Sequence, residues 1–535
     1  MPVDQSGESI LFWIDSQGDQ PHTEAHIQIQ YEGDPERFAW IVPVMEVPEV
    51  RVSSQAMFDN LLAATVPTIS LATQFVDCFD ADFSGCGLSV MADEIDFAGG
   101  SSDGGTGGGE DEPGDGPEIL DRGQAGAFEY VTLTGDSVDE IVDWLELAGY
   151  AQDPDAPPIL EEYLEEDFVF VAFKLRADFG TSEIHPLAIR YPGIEPCIPI
   201  RLTRIAATED MAIRAFFLGQ RRVVPQNWPH VEFNWAKLDW LGDLAAGYRE
   251  LVATAVDEAE GGRAFVTEYA GTDAVVSTTN VHSAAWDPSI YAELEPFQVV
   301  ATLDGQGLLE CELGFGCDFR HPQVRPLLER YLPAPEGVDP ETYWSSVDDY
   351  LEQIDYEAWT QAPGFAADFE ERISGPGAHA IDMLEDASYL TRLFTLLSPH
   401  EMLEDPLFHE SDSLGNVDNL ISATRVIECG EAPDYFELPD ARSVAVDALG
   451  SYPEFPDMPA AERVERVPSV GPAQIEVDNA ETIEVAVSAH NEDQLVGPGP
   501  SGCATARRRS QSMLAMFALF GLAWLQRAPR RRRES

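Results

Sequence analysis

Between Phe128 and Gly271 the chain passes through apolar segments of strand length in close succession, and this run limits the fold more than any other stretch. YVTLT (Tyr130–Thr134), FVFVAFKL (Phe168–Leu175), PLAIRY (Pro186–Tyr191), CIPIRLT (Cys197–Thr203), MAIRAFFL (Met211–Leu218) and RAFVTEY (Arg263–Tyr269) read as strands, rich in β-branched and aromatic residues. Two helices interrupt them. One opens at the capping box Ser137-Val-Asp-Glu140, turns Val138, Ile141, Val142 and Leu145 inward and stops at Gly149. The other spans about Tyr248 to Glu260, before Gly261-Gly262. Strands adjacent in sequence pair antiparallel, so the expected class is α+β, with largely antiparallel sheets and segregated helices.

The flanks extend this pattern. Residues 1–98 form a β-rich N-terminal part: Ala25, Ile27, Ile29 and Tyr31 alternate with His26, Gln28 and Gln30 as in a half-buried strand, Phe38–Val44 follows, and a helix fits Ser54–Thr65. Residues 99–117, GGSSDGGTGGGEDEPGDGP, are an acidic linker or loop without a phosphate-loop Lys. An α+β core over 118–317 is followed by a helical part over 318–410, where PQVRPLLERYL, ETYWSSVDDYLEQI, HAIDMLEDASYLTRLFTLL and PHEMLEDPLF have helical apolar spacing. Strand character returns over 420–490, in TRVIEC, YFEL and AQIEVDNAETIEVAVSAH.

With 44% hydrophobic and 10% aromatic residues the chain can build real cores, and its net charge of −65 excludes nucleic acid as a partner. Six arginines (Arg190, Arg201, Arg204, Arg214, Arg221, Arg222) gather in the core segment, where pairing with carboxylates is expected ahead of an anion clamp. Of the seven cysteines, Cys78 with Cys86 and Cys311 with Cys317 have spacings that suit local disulfides, and no C-x-x-C pair points to zinc. Asp80-Ala-Asp82-Phe-Ser84-Gly85 matches the opening of a calcium loop, so calcium is the one cofactor the sequence suggests; Met91 stands where the bidentate Glu belongs. No nucleophile elbow, H-E-x-x-H pair or dinucleotide fingerprint occurs, and the ten histidines each read as structural or surface residues.

PVDQSGESILF, HIQIQYEGDPERFAWIVPVMEVPEV, the YPGIEPCIPIRLT block, AFVTEYAG and SYLTRLFTLLSPHEMLEDPLF resemble the domain of unknown function 2330 family of exported bacterial proteins, over residues 1–410. The resemblance implies export and supplies no activity or catalytic residue. Family members begin with a signal peptide, whereas this chain opens MPVDQSGESILFWI, so either the true start is expected upstream of Met1 or the export segment has been lost.

After the hinge Gly497-Pro-Gly-Pro500 the acidic chain turns basic: eight arginines bracket an apolar run, Met513–Leu525, behind Cys503. This tail, over 497–535, resembles the myxobacterial type of C-terminal sorting signal, which implies processing at Cys503 by sorting machinery and membrane contact through 513–525. Thirteen residues are fewer than the roughly 20 that span a bilayer comfortably. The expectation is an envelope-anchored or secreted binding, adhesive or structural module, its extracellular ligand unspecified. The alternatives are a secreted hydrolase with an unrecognised acid or Ser/His site, and a calcium-dependent surface protein.

Overall fold

In the computed structural model the apolar strand Gln5–Asp15 (β1) runs parallel to Ala207–Gly219 on one side and antiparallel to His22–Ile29 (β2) on the other, inside a ten-stranded sheet. The structure describes residues 5–16, 20–29, 39–76, 117–150, 154–177, 179–312, 315–428, 433–447 and 449–495. Across the sheet the order is Gln474–Asp478, Ala461–Arg466, His230–Phe233, Phe265–Gly271, Tyr389–Leu397, Ala207–Gly219, β1, β2, Leu187–Pro192 and Glu49–Val52. Most neighbours pair antiparallel; the exceptions in this sheet are β1 with Ala207–Gly219 and His230–Phe233 with Phe265–Gly271.

The two faces of the sheet are covered differently. One carries the main core, in which Ile10, Phe12 and Ile14 of β1 join Ala25 and Ile27 of β2, the helix Leu244–Asp257 and part of a four-stranded sheet (Ala39–Val44, Val169–Leu175, Phe128–Thr134, Glu118–Ala125). The other packs Leu11, Phe216, Leu218 and Leu390 against the helices Gln55–Thr65 and Gly375–Asp386. Ser54 caps the first of these by accepting from the Met57 N–H. A helical region around Val324–Tyr331 and Phe365–Phe369 has its own aromatic core. The fold is α+β.

Four segments differ from their expected states. CIPIRLT makes only an isolated bridge from Cys197 to Leu407 and then a short helix, Ile200–Thr203; Pro199 offers no N–H to a ladder. HAIDMLEDASYLTRLFTLL is a helix only to Asp386, and Tyr389–Leu397 is a strand buried on both faces, so it has no period-2 alternation to betray it. PHEMLEDPLF is a turn segment leading to the strand Phe408–Ser411. AQIEVDNAETIEVAVSAH is a strand, Gln474–Asp478, and then a helix, Ala480–Leu495, whose β-branched residues favour strands but are overridden by packing of Ile483 and Val487 into the main core. Among the described residues no helix is long and apolar enough to cross a membrane.

Candidate metal centre

On β2, His22, Glu24 and His26 alternate with Thr23, Ala25 and Ile27. Ala25 and Ile27 face the main core. The polar set is not solvated: the helix Gly375–Asp386 brings His379 onto Glu24, and His22, Glu24 and His26 are all buried.

His379 Nε2 lies 2.9 Å from Glu24 Oε1, and His26 Nε2 lies 3.7 Å from the same oxygen. One ligand atom from each of the three side chains falls within 4.8 Å of the others. Tetrahedral zinc with bonds of about 2.0–2.2 Å holds its ligand atoms roughly 3.3 Å apart, which the 2.9 and 3.7 Å distances bracket. Glu24 Oε2 and His26 Nε2 are buried without a hydrogen-bond partner. Leaving such an atom unpaired costs on the order of 1–3 kcal/mol, more for a charged group, a cost that a cation bound by these side chains would relieve.

The electrostatics prepare ligation. Burial alone would raise the Glu24 carboxyl, but the hydrogen bond from His379 and the electrostatic influence of the neighbouring His26, His379 and Arg51 outweigh it and hold the group at about 2. Burial lowers His26 to about 4, keeping its ring neutral. An ionised carboxylate and a neutral imidazole are the forms that bind metal; at His379 the ion would replace the Nε2 proton now donated to Glu24, leaving the ring neutral with its proton on Nδ1.

Outer contacts fix the ligands. His26 Nδ1 lies 2.7 Å from Ser53 Oγ. When Nδ1–H donates to Ser53, Nε2 turns its lone pair towards Glu24, the orienting arrangement common behind metal-bound histidines. Ser53 is itself anchored by its backbone N–H donating to Pro186 O at 2.9 Å. The Trp13 ring meets His379 and His22 edge to face, at 5.7 and 5.3 Å between ring centroids.

Several other polar groups among the described residues have protein partners. Arg201 holds Asp405 at 3.1 Å and Glu166 at 2.7 Å, Arg221 pairs with Asp412, and Arg222 donates to Gly415 O and Thr267 Oγ1. His409 is occupied by the carbonyls of Glu410 and Val467. Thr267, His230 and Glu465 align like a nucleophile, base and acid, at 3.0 and 3.9 Å. Arg222 also claims the Thr267 hydroxyl, at 2.9 Å, and His230, Glu465 and Arg222 are buried, so this group serves the sheet.

Cys311 and Cys317 are joined in a disulfide, directly opposed across the hairpin Leu309–Glu312/Gly316–Phe319. The Cys78 and Cys86 pair, the calcium-loop residues Asp80, Asp82 and Ser84, the processing residue Cys503 and the apolar run 513–525 lie outside the described residues. Sequence reasoning missed the metal cluster. Its trace is the His22-x-Glu24-x-His26 alternation on one strand face, while the third ligand comes from 355 residues beyond Glu24.

No curated protein and no solved structure matches the chain. The family model described as uncharacterized protein conserved in bacteria, DUF2330, matches residues 3–282, which include Glu24, His26 and Ser53 and stop short of His379. That match covers more than half of the 535 residues, and the chain belongs to the DUF2330 family.

Proposed function

We propose that this protein is an exported envelope module whose ten-stranded sheet and the helix packed on it bind a divalent transition-metal ion, zinc above all, through Glu24, His26 and His379. The carrying observation is the convergence of one ligand atom from each of these three side chains within 4.8 Å, with Glu24 Oε2 and His26 Nε2 buried and partnerless. Two imidazoles and one carboxylate suit zinc or copper better than calcium, which prefers all-oxygen shells. Three protein ligands leave a coordination position open, as in sites where zinc meets a further ligand or a water.

Export is supported by the disulfide of the 311–317 hairpin, which suits an oxidising compartment, and by the likeness of the 497–535 tail to a sorting signal. Calorimetric titration of the full chain with zinc chloride tests the metal reading: one ion binds per chain, and His26→Ala and His379→Ala each weaken binding about 100-fold or more. Equal affinity in wild type and both variants, or no binding by wild type, overturns it. Mass spectrometry of protein recovered from the envelope tests the address. A C-terminus near Gly502 or Cys503 is expected; surface-located chains that keep Arg530–Arg533 refute processing.

A further inference from the structure

Two hydrogen-bond donors stand in the same row of the sheet as Glu24, one on each neighbouring strand. Residues directly opposite one another on neighbouring strands project to the same face. Glu24 pairs with Trp13 on β1 and with Arg190 on Leu187–Pro192, so an indole and a guanidinium flank the carboxylate in one row. The Trp13 Nε1–H is buried without a partner, although the ring packs on His379. Arg190 reaches His22 Nδ1 at 3.3 Å and approaches Glu49 only to 3.9 Å, and that Glu49 also pairs with Arg51. Arg190 and His379 are 37% and 27% exposed, so this side of the site is reachable from solvent while Glu24 and His26 are not.

We infer that the open coordination position takes the oxyanion of a small ligand, a carboxylate or a phosphate, held by the metal, the Trp13 indole N–H and the Arg190 guanidinium. The inference rests on the metal reading above. A metal at Glu24 would draw in an anion; Trp13 and Arg190 supply the direction. A guanidinium matches the two oxygens of such a group with paired donors, and an indole N–H gives a single directed one. The surrounding acidity, −65 over the chain, disfavours large polyanions, which leaves small singly or doubly charged ligands.

The test titrates the zinc-loaded full chain with sodium acetate in one arm and sodium phosphate in the other, following heat. Wild type binds at least one anion, and the responding arm identifies the group. Arg190→Gln weakens that binding about tenfold or more and Trp13→Phe several-fold, the usual worth of charge-assisted and neutral hydrogen bonds. Zinc affinity, measured separately, stays unchanged in Arg190→Gln, which touches none of the three ligands, and near-ultraviolet circular dichroism reports that both variants are folded. Intact zinc binding with no response to either anion, or with anion binding indifferent to both substitutions, overturns this inference alone. Failure of wild type to bind zinc removes the reading beneath it instead.

Discussion

Glu8 and Glu24 lie in the same sheet, both buried, and their carboxyl groups behave in opposite ways. Glu8 shares its face of β1 with Ile10, Phe12 and Ile14, and burial pushes it from 4.5 up to about 7. Glu24 has His379 and nearby cations, and stays at about 2. For Glu8 the folded state favours the protonated form. Below about pH 4.5 folded and unfolded chains both hold that proton, and its stability is fully present. As pH rises to about 7 the unfolded chain releases the proton while the folded one resists, so stability falls by about 3 kcal/mol. Guanidinium unfolding of Glu8→Gln against wild type checks this: the variant gains little near pH 4.5 and up to that amount above about pH 7. A pH-independent difference would refute it. Neither carboxylate was legible from its neighbours in sequence, because one is defined by apolar strands packed over it and the other by a histidine 355 residues away.

At the scale of elements, the site depends on how the helix Gly375–Asp386 is held over β2. A π-helical turn, Glu370–Ser374, leads into it, and insertions of this kind re-aim the side chains beyond them. Within that turn Arg372 is buried, donating to Glu183 Oε1 at 3.2 Å and to Gln323 Oε1 at 2.9 Å, which ties the helix start to the rest of the fold. Two residues before His379, Gly377 meets the backbone at close range: a Cβ there would sit 2.1 Å from Val281 O. Gly377→Ala therefore pushes the helix off its seat, costing about 1–3 kcal/mol. Because His379 moves with it, zinc affinity is expected to drop about tenfold or more although no ligand has changed. Thermal melts with and without zinc read both effects; a variant that is destabilised yet binds zinc with wild-type affinity would uncouple helix position from the site. The sequence carried this helix well, through its apolar spacing, but not its end. The apolar period runs on through Leu390–Leu397, and only contact with strands on both sides turns that stretch into sheet.

On the scale of the whole molecule, the family match and the folding unit do not coincide. The strands β1, β2, Ala207–Gly219 and Phe265–Gly271 lie inside residues 3–282, but Tyr389–Leu397 lies outside and pairs with both Ala207–Gly219 and Phe265–Gly271. It is an inner strand, delivered late by the chain to a gap between two early ones. The succession of apolar segments was enough to read an α+β class, whereas the order of strands, set by such returns, was not. A chain ending at residue 282 would leave that gap open. Leu390, Leu393, Leu396 and Leu397 are each no more than 1% exposed, and burying four such side chains is worth about 6–12 kcal/mol. That is comparable with the whole stability of an ordinary domain, about 5–15 kcal/mol. The truncated chain would also lose His379, and with it the third ligand. Residues 1–282 alone are therefore expected to give no cooperative unfolding transition and no zinc binding, while residues 1–495 give both. Near-ultraviolet circular dichroism during denaturation, with a zinc titration beside it, decides the matter. A native-like spectrum and a single sharp transition from the shorter chain would mean that the family region closes its sheet without Tyr389–Leu397.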